Sequence, residues 1–220
     1  MTRAHATRVP ASDDPLLACL GLTLGFALLC LWRLWLPSGP YFDEIHYLPA
    51  ARELLTGFDY RNPEHPPLGK EIIAAGIWLL GDNPWGWRIF SALAGTLALF
   101  AGMRALWHAS HNRDATLAYG VLLATGFLLF VHAQIAMLDI FMAAFFLTAL
   151  WLFVSACRQR REPRARLDLI ASGIALGLSM AAKWNAVPLA PLLGLFFSAT
   201  VFAHCQISLW HFQSREELVS

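Results

Sequence analysis

Six apolar runs, each close to the length of a hydrocarbon crossing, leave this 220-residue sequence few folds to adopt. They fall at about 15–36, 89–107, 115–132, 136–157, 168–183 and 186–204. A crossing takes about 20 apolar residues, with about 17 as the practical minimum. Composition points the same way, with 57% hydrophobic and 14% charged residues, where soluble domains carry about 25% charged. The expected fold is an all-α integral membrane protein with about six transmembrane helices. Arg3 and Arg8 ahead of the first run resemble a secretory signal. That run exceeds the roughly 7 to 15 residues of a signal core and no small-residue cleavage site follows, so it reads as an uncleaved first span.

The run 71–80 (EIIAAGIWLL) is too short to span and is flanked by Lys70, Glu71 and Asp82, which suits a helix lying in the interface. Arg158, Arg160, Arg161, Arg164 and Arg166 against Glu162 mark a cytoplasmic loop. Six spans then put Arg3, Arg8, Arg104, Arg113 and both termini on that same side. The loop 37–88, Asp139 and Lys183 fall on the outer side. The organisation expected is a cytoplasmic tail over 1–14, a membrane domain over 15–204 with 37–88 as its outer loop, and a cytoplasmic tail over 205–220. Topology explains the arginines, and a net charge of +1 gives no reason to expect a nucleic-acid partner. Cys19, Cys30, Cys157 and Cys205 sit in or at the ends of apolar runs without metal spacing and read as buried apolar residues. Gly173 and Gly177 form a GxxxG pattern that suits close helix packing.

The outer loop gathers many ionisable residues, among them Asp43, Glu44, His46, Glu53, Asp59, Glu64, His65, Lys70, Glu71, Asp82 and Arg88. Asp43 and Glu44 are adjacent, so their side chains diverge and cannot both approach one atom. A carboxylate just past a span could deprotonate an acceptor hydroxyl, or the pair could cap a following helix over 46–55. Pro66 and Pro67 place a helix start near Pro67, which puts Lys70 in its first turn, where the helix dipole disfavours a cation. A bound phosphate would resolve that conflict, and so would snorkelling of Lys70 to lipid phosphates. Arg88 opens the second span, where a guanidinium can grip a phosphate bidentately. Asp139 opens the fourth span and Lys183 separates the last two; ionisable residues at membrane depth usually face a cavity or a partner.

In this order, Phe42-Asp43-Glu44, His65-Pro66-Pro67-Leu68-Gly69-Lys70, Trp85-Gly86-Trp87-Arg88 with Ser91-Ala92, Ala136-Met137-Leu138-Asp139 and Lys183-Trp184 closely resemble the protein O-mannosyltransferase family and its bacterial relatives, polyprenyl-phosphate-dependent glycosyltransferases of the GT-C class. The resemblance runs from about Tyr41 to Leu189 and favours the mannosyl branch over the aminoarabinose transferases. It implies a GT-C-like multi-pass enzyme that moves a sugar, typically mannose, from a polyprenyl-phosphate carrier to an acceptor hydroxyl with inversion. The acceptor would be a protein, lipid or glycan, and the active side would face the periplasm or exterior of a bacterial inner membrane. Residue by residue it assigns Asp43 and Glu44 to catalysis and His65, Lys70, Arg88, Asp139 and Lys183 to substrate binding. No cofactor is implied, and a carboxylate-bound divalent ion between Asp43 and Asp139 stays an open alternative. Family members are much longer, so the chain reads as an N-terminal half that could work beside a second polypeptide. Two other readings stand beside the enzyme: a non-catalytic membrane protein of the same fold that binds the carrier or a partner, and an unrelated six-span transporter.

Overall fold

The computed structural model describes residues 13–57, 62–158 and 163–195. Among these residues the regular structure is helical: α1 (Leu16–Leu31), α2 (Glu44–Thr56), α3 (Leu68–Leu80), α4 (Pro84–Ser110), α5 (Arg113–Thr125), α6 (Phe127–Gln134), α7 (Leu138–Arg158) and α8 (Pro163–Ala182), then a 3-10 segment (Trp184–Leu189). The chain packs as two units, one through Trp184 and one from Asn185. The calls on Arg3, Arg8, Asp59, Arg160, Arg161, Glu162, Cys205 and both tails lie outside the described residues, apart from Asp13 and Asp14.

Among the described residues, helices α4, α7 and α8 are each long and apolar enough to cross a membrane, and α5 with α6 are so only when taken together, bent by 55° as a broken span or a re-entrant loop. The expected third span over 115–132 is thus broken, at Gly126, whose extended backbone ends α5 and caps α6. Helix α1 is apolar but has 16 residues, about 24 Å at 1.5 Å per residue. The sixth expected span is described only as far as residue 195. The chain is an integral membrane protein, and α1 shows its lipid-type surface in Leu17, 83% exposed.

Local chemistry sets the element ends. The Asn83 side chain accepts from the backbone N–H groups of Trp85 and Gly86 while Pro84 takes the first helical position, a favourable cap. Helix α4 therefore begins five residues before the apolar run, and Arg88 sits inside it. Helix α2 stops at Gly57, whose left-handed φ of 73° lets its N–H return to the Glu53 carbonyl. Two short helices thus occupy the first long loop. They are held by one core that includes Tyr47, Leu48, Ile73, Ile77, Trp87, Leu138 and Phe141, and a second core joins α1 to α4 through Cys19, Phe26, Cys30, Leu99 and Met103.

Polar bonds bridge the spans where lipid gives no hydrophobic incentive to pair. Ser172 and Ser179 of α8 donate to the Ala149 and Met142 carbonyls of α7, each at 2.8 Å, and Ser155 donates to Asp168 at 2.8 Å. The GxxxG residues of α8 are different. A Cβ added to Gly173 or Gly177 meets nothing within 4 Å among the described residues. The close approach lies instead at the α3–α4 turn, where a Cβ on Gly76 would collide with the Gly86 carbonyl and one on Gly86 with that of Gly81. Gly76→Ala should therefore lower the unfolding free energy by about 1–3 kcal/mol through overpacking. Gly173→Ala, a change in an open helical position, should cost nothing; thermal melts of the detergent-solubilised chain followed by Trp fluorescence compare the two.

Candidate functional site

The first residue of α2 and the second turn of α4 meet in a fully buried ion pair. Arg88 and Glu44 both have 0% side-chain exposure. Arg88 Nε donates to Glu44 Oε1 at 2.7 Å and Nη2 to Oε2 at 2.6 Å. Its remaining N–H groups go to the carbonyls of Leu34 (3.2 Å), Pro37 (2.8 Å) and Gly39 (3.1 Å). A guanidinium has five N–H donors, and here all are used. Glu44 is equally occupied: Oε1 also accepts from the Ala136 N–H at 2.8 Å and Oε2 from the Tyr41 N–H at 2.8 Å. Arg88, expected to grip a phosphate, ties the 34–39 backbone to α2 through these bonds. Glu44, expected beside Asp43 in catalysis, joins α2 to α4 and to the entry of α7.

Lys70 differs from expectation in the same way. It is the third residue of α3 and fully buried. Its Nζ donates to the Asn62 carbonyl at 2.6 Å, the Asn62 side-chain oxygen at 3.3 Å and the His65 carbonyl at 2.8 Å. The cation that the helix dipole disfavours is thus held by oxygens of the preceding loop. Burial pushes its pKa down to about 8, with Glu64 pulling the other way, so the ammonium stays charged at neutral pH. Arg52 and Asp82 form a further tether: Arg52 donates to both Asp82 oxygens at 2.8 and 2.9 Å, and Trp87 Nε1 donates to one of them at 2.6 Å. The Arg52 hydrogen bonds hold the Asp82 carboxyl below its usual range against its burial, with Trp87 adding to them.

Asp43, Tyr47, His65, Asp139 and Lys183 share one electrostatic neighbourhood. Asp43 precedes α2, half-buried, and accepts from the Tyr47 hydroxyl at 3.4 Å. Burial, then the charges of Asp43 and Asp139, push the Tyr47 phenol up. His65 lies edge-on to Tyr47, ring centres 6.0 Å apart. Burial and the ammonium groups of Lys183 and Lys70 push its imidazole down, with Asp139 opposing them, so it is neutral at pH 7. Lys183 Nζ donates to both Asp139 oxygens at 2.8 and 2.7 Å. A divalent ion between Asp43 and Asp139 would have to compete with that ammonium. Tyr47 was not singled out from sequence, although its place four residues after Asp43 puts both on one helical face.

Two cavities open nearby. A cleft of about 330 Å³ is lined by Ile45, His46, Pro49, Asn62 and Glu64. A groove of about 480 Å³ follows the α5–α6 bend along α7, with Leu123, Leu128, Leu129, Met142 and Leu147 among its walls and Asp139 and His132 as its polar groups.

The family model described as dolichyl-phosphate-mannose-protein mannosyltransferase matches residues 64–211. The chain belongs to this family. The polyprenol-phosphate-mannose–protein mannosyltransferase of Corynebacterium glutamicum is 32% identical over 190 residues, a match covering 71% of this chain and 36% of that protein. The protein of the same name from Mycobacterium tuberculosis is 32% identical, covering 74% and 35%. This mannosyltransferase-family chain therefore spans about a third of the length of the curated relatives it matches. It also superposes on a chain of the Saccharomyces cerevisiae protein O-mannosyltransferase Pmt1-Pmt2 complex bound to the sugar donor, with a TM-score of 0.78 and 24% identity over 89% of this chain and 29% of that one. That likeness establishes the membrane glycosyltransferase fold.

Removing one partner of a buried ion pair typically costs about 3–5 kcal/mol. Arg88→Met should lose that much stability, measured as an unfolding midpoint in SDS or urea. Glu44→Gln/Arg88→Met should recover part of it, since no charge is stranded, while the three carbonyls remain without donors. Equal midpoints for Arg88→Met and the parent would remove the pair from this role.

Proposed function

We propose that this chain carries the mannosyl-transfer site of a polyprenyl-phosphate-mannose-dependent glycosyltransferase. The observation that supports it is the contrast within the acidic pair. Glu44 spends its lone pairs on Arg88, Tyr41 and Ala136, whereas Asp43 is half-buried with one long bond from Tyr47. Asp43 is the base. It takes the proton from the acceptor hydroxyl as that oxygen attacks the anomeric carbon from the face opposite the phosphate. The bond from that carbon to the phosphate oxygen breaks, its electron pair leaves with the polyprenyl phosphate, and the centre inverts. A phosphate leaves as a stable anion, so the remaining work is charge stabilisation. Lys183 supplies it: two of its N–H groups hold Asp139 and an ammonium has three.

The apolar groove ending at Asp139 suits the polyprenyl tail and brings its phosphate to Lys183. Glu44, Arg88 and Lys70 position these elements and do not touch the donor; His65 offers a neutral imidazole beside Tyr47. The acceptor is a protein hydroxyl, as the names of the relatives say of those proteins. A second polypeptide works beside the chain, as in the two-protein yeast complex. The membrane is a bacterial inner membrane with the 37–88 loop on its outer face, and the domain limits are those read from the sequence.

Labelled mannose transfer from polyprenyl-phosphate-mannose in membranes containing this chain should fall by about 10²–10⁴-fold in Asp43→Asn, the range for losing a general base. Its melting temperature and carrier binding should stay unchanged. Carrier binding without transfer in the parent chain would leave the non-catalytic reading standing. For orientation, a cysteine replacing the exposed Glu64 should react with an impermeant maleimide added outside intact cells, and one replacing the exposed Asp114 only after lysis. The reverse pattern would invert the topology.

A further inference from the structure

The groove along α7 has one edge on α6 where Phe127 and Leu128 are 81% and 72% exposed, an apolar rim through which a lipid can enter sideways. Among the described residues its walls carry two polar side chains, Asp139 and His132. Both Asp139 oxygens accept from Lys183, and an ionised carboxylate has nothing to donate. His132 is therefore the one donor-capable side chain in that wall. It stands in the last turn of α6, half-buried. Its Nδ1 lies 2.8 Å from the Leu128 carbonyl, and a carbonyl only accepts, so Nδ1 carries a proton. That bond turns the Nδ1 edge of the ring to its own helix and leaves Nε2 on the other edge, with no hydrogen-bonding partner among the described residues. Nε2 becomes a donor once the ring holds its second proton, the form that an adjacent anion favours.

Charge bookkeeping gives that nitrogen a task. A sugar-bearing carrier phosphate is a diester with one negative charge, whereas the phosphate released on transfer is a monoester with a charge of about −1.5 to −2 at neutral pH. The added charge appears on the oxygen that keeps the electron pair of the broken bond. Lys183 already faces Asp139, so the two together are neutral and leave that added charge unmatched. Resting on the mannosyl-transfer reading, we propose that His132 is a further catalytic residue, whose Nε2–H bonds the carrier phosphate as it leaves. No proton is transferred in this step; the imidazolium stabilises the departing anion from the groove side while Lys183 does so from beyond Asp139. Because the ring is already fixed by the Leu128 carbonyl, the bond forms without reorganisation, which is what makes such a donor effective in a transition state.

The test uses the full chain in phosphatidylcholine nanodiscs and measures binding of tritiated polyprenyl phosphate and of polyprenyl-phosphate-mannose. His132→Asn keeps an N–H near the position of Nδ1 for the Leu128 carbonyl and loses the outer one; His132→Gln keeps an N–H near the position of Nε2. The Asn variant should bind polyprenyl phosphate about tenfold more weakly, the factor for one hydrogen bond to a charged group, and bind the mannosyl diester nearly as well as the parent. The Gln variant should recover most of the loss. Unchanged polyprenyl phosphate binding in the Asn variant overturns the proposal, and so does an equal loss in both variants with a lowered melting temperature, which would make the ring structural. Phosphatidic acid carries a similar phosphate on an ordinary lipid; if it displaces the bound carrier as readily as unlabelled polyprenyl phosphate does, the assignment to the carrier falls. Single-turnover mannose transfer is followed in parallel and should slow in the Asn variant with KM little changed, the mark of an interaction made in the transition state. Carrier binding that follows His132 with no transfer in the parent upholds the phosphate contact and removes the enzymatic reading; transfer at the parental rate in the Asn variant does the opposite.

Discussion

The Glu44–Arg88 pair is the contact on which the rest of the outer-loop architecture depends. Two charges withdrawn completely from water pay several kcal/mol each in lost hydration, and attraction between them offsets this only when the remaining polar capacity is filled. Here it is filled from three parts of the chain. The 34–39 backbone supplies carbonyls, Tyr41 an N–H, and the start of the fourth apolar run another N–H through Ala136. One salt bridge therefore fixes the exit from α1, the start of α2, the second turn of α4 and the entry to α7. Because Glu44 is pinned inward at the start of a helix, its neighbour Asp43 is rotated away from it. The direction of the proposed base follows from the burial of its neighbour.

Three further charged groups around this point are matched locally. Lys183 faces Asp139, Arg52 faces Asp82, and Lys70 is surrounded by carbonyl oxygens. In a low-dielectric setting an unmatched charge interacts strongly over several ångströms, so these local matches leave Asp43 to act on its neighbours with little competition. The raised Tyr47 phenol registers this, since after burial the charge of Asp43 is the next cause of its shift.

Much of this was legible in the amino-acid sequence, and the illegible parts have physical reasons. Apolar length located α4, α7 and α8, but it could not find the break at Gly126, because a bent pair of helices buries as many apolar residues as a straight one. The early start of α4 was readable in Asn83-Pro84, a cap and a first-turn proline, yet counting hydropathy hid it. The family motifs brought together the residues that cluster around Tyr47. They could not show how Arg88 and Lys70 are held, because most of the partners of these two are backbone carbonyls, which carry no sequence signature. Tyr47 could have been found from its spacing to Asp43. The GxxxG of α8 pointed to packing, whereas the glycines in closest contact are Gly76 and Gly86, in a turn whose tightness only the tertiary structure shows.

The proposed division between holding and reacting groups fits a site at the membrane surface. A transfer from a lipid-borne donor to a water-borne acceptor needs an apolar groove and an aqueous cleft that end at the same atoms, within a few tenths of an ångström of a productive geometry. Loops at a membrane surface are mobile by default, so α2 and α3 must be made rigid without the burial that a soluble core provides. Fully occupied polar contacts do that. They exchange hydration for directional bonds that tolerate only one arrangement, and they place rigidity at the height where α5–α6, α7 and the two short helices converge. In the proposed reaction the lipid tail lies along α7, the phosphate reaches Lys183, and the hydroxyl enters past Asp43 from the water side. The saturated ion pair beneath α2 keeps those two approaches aligned.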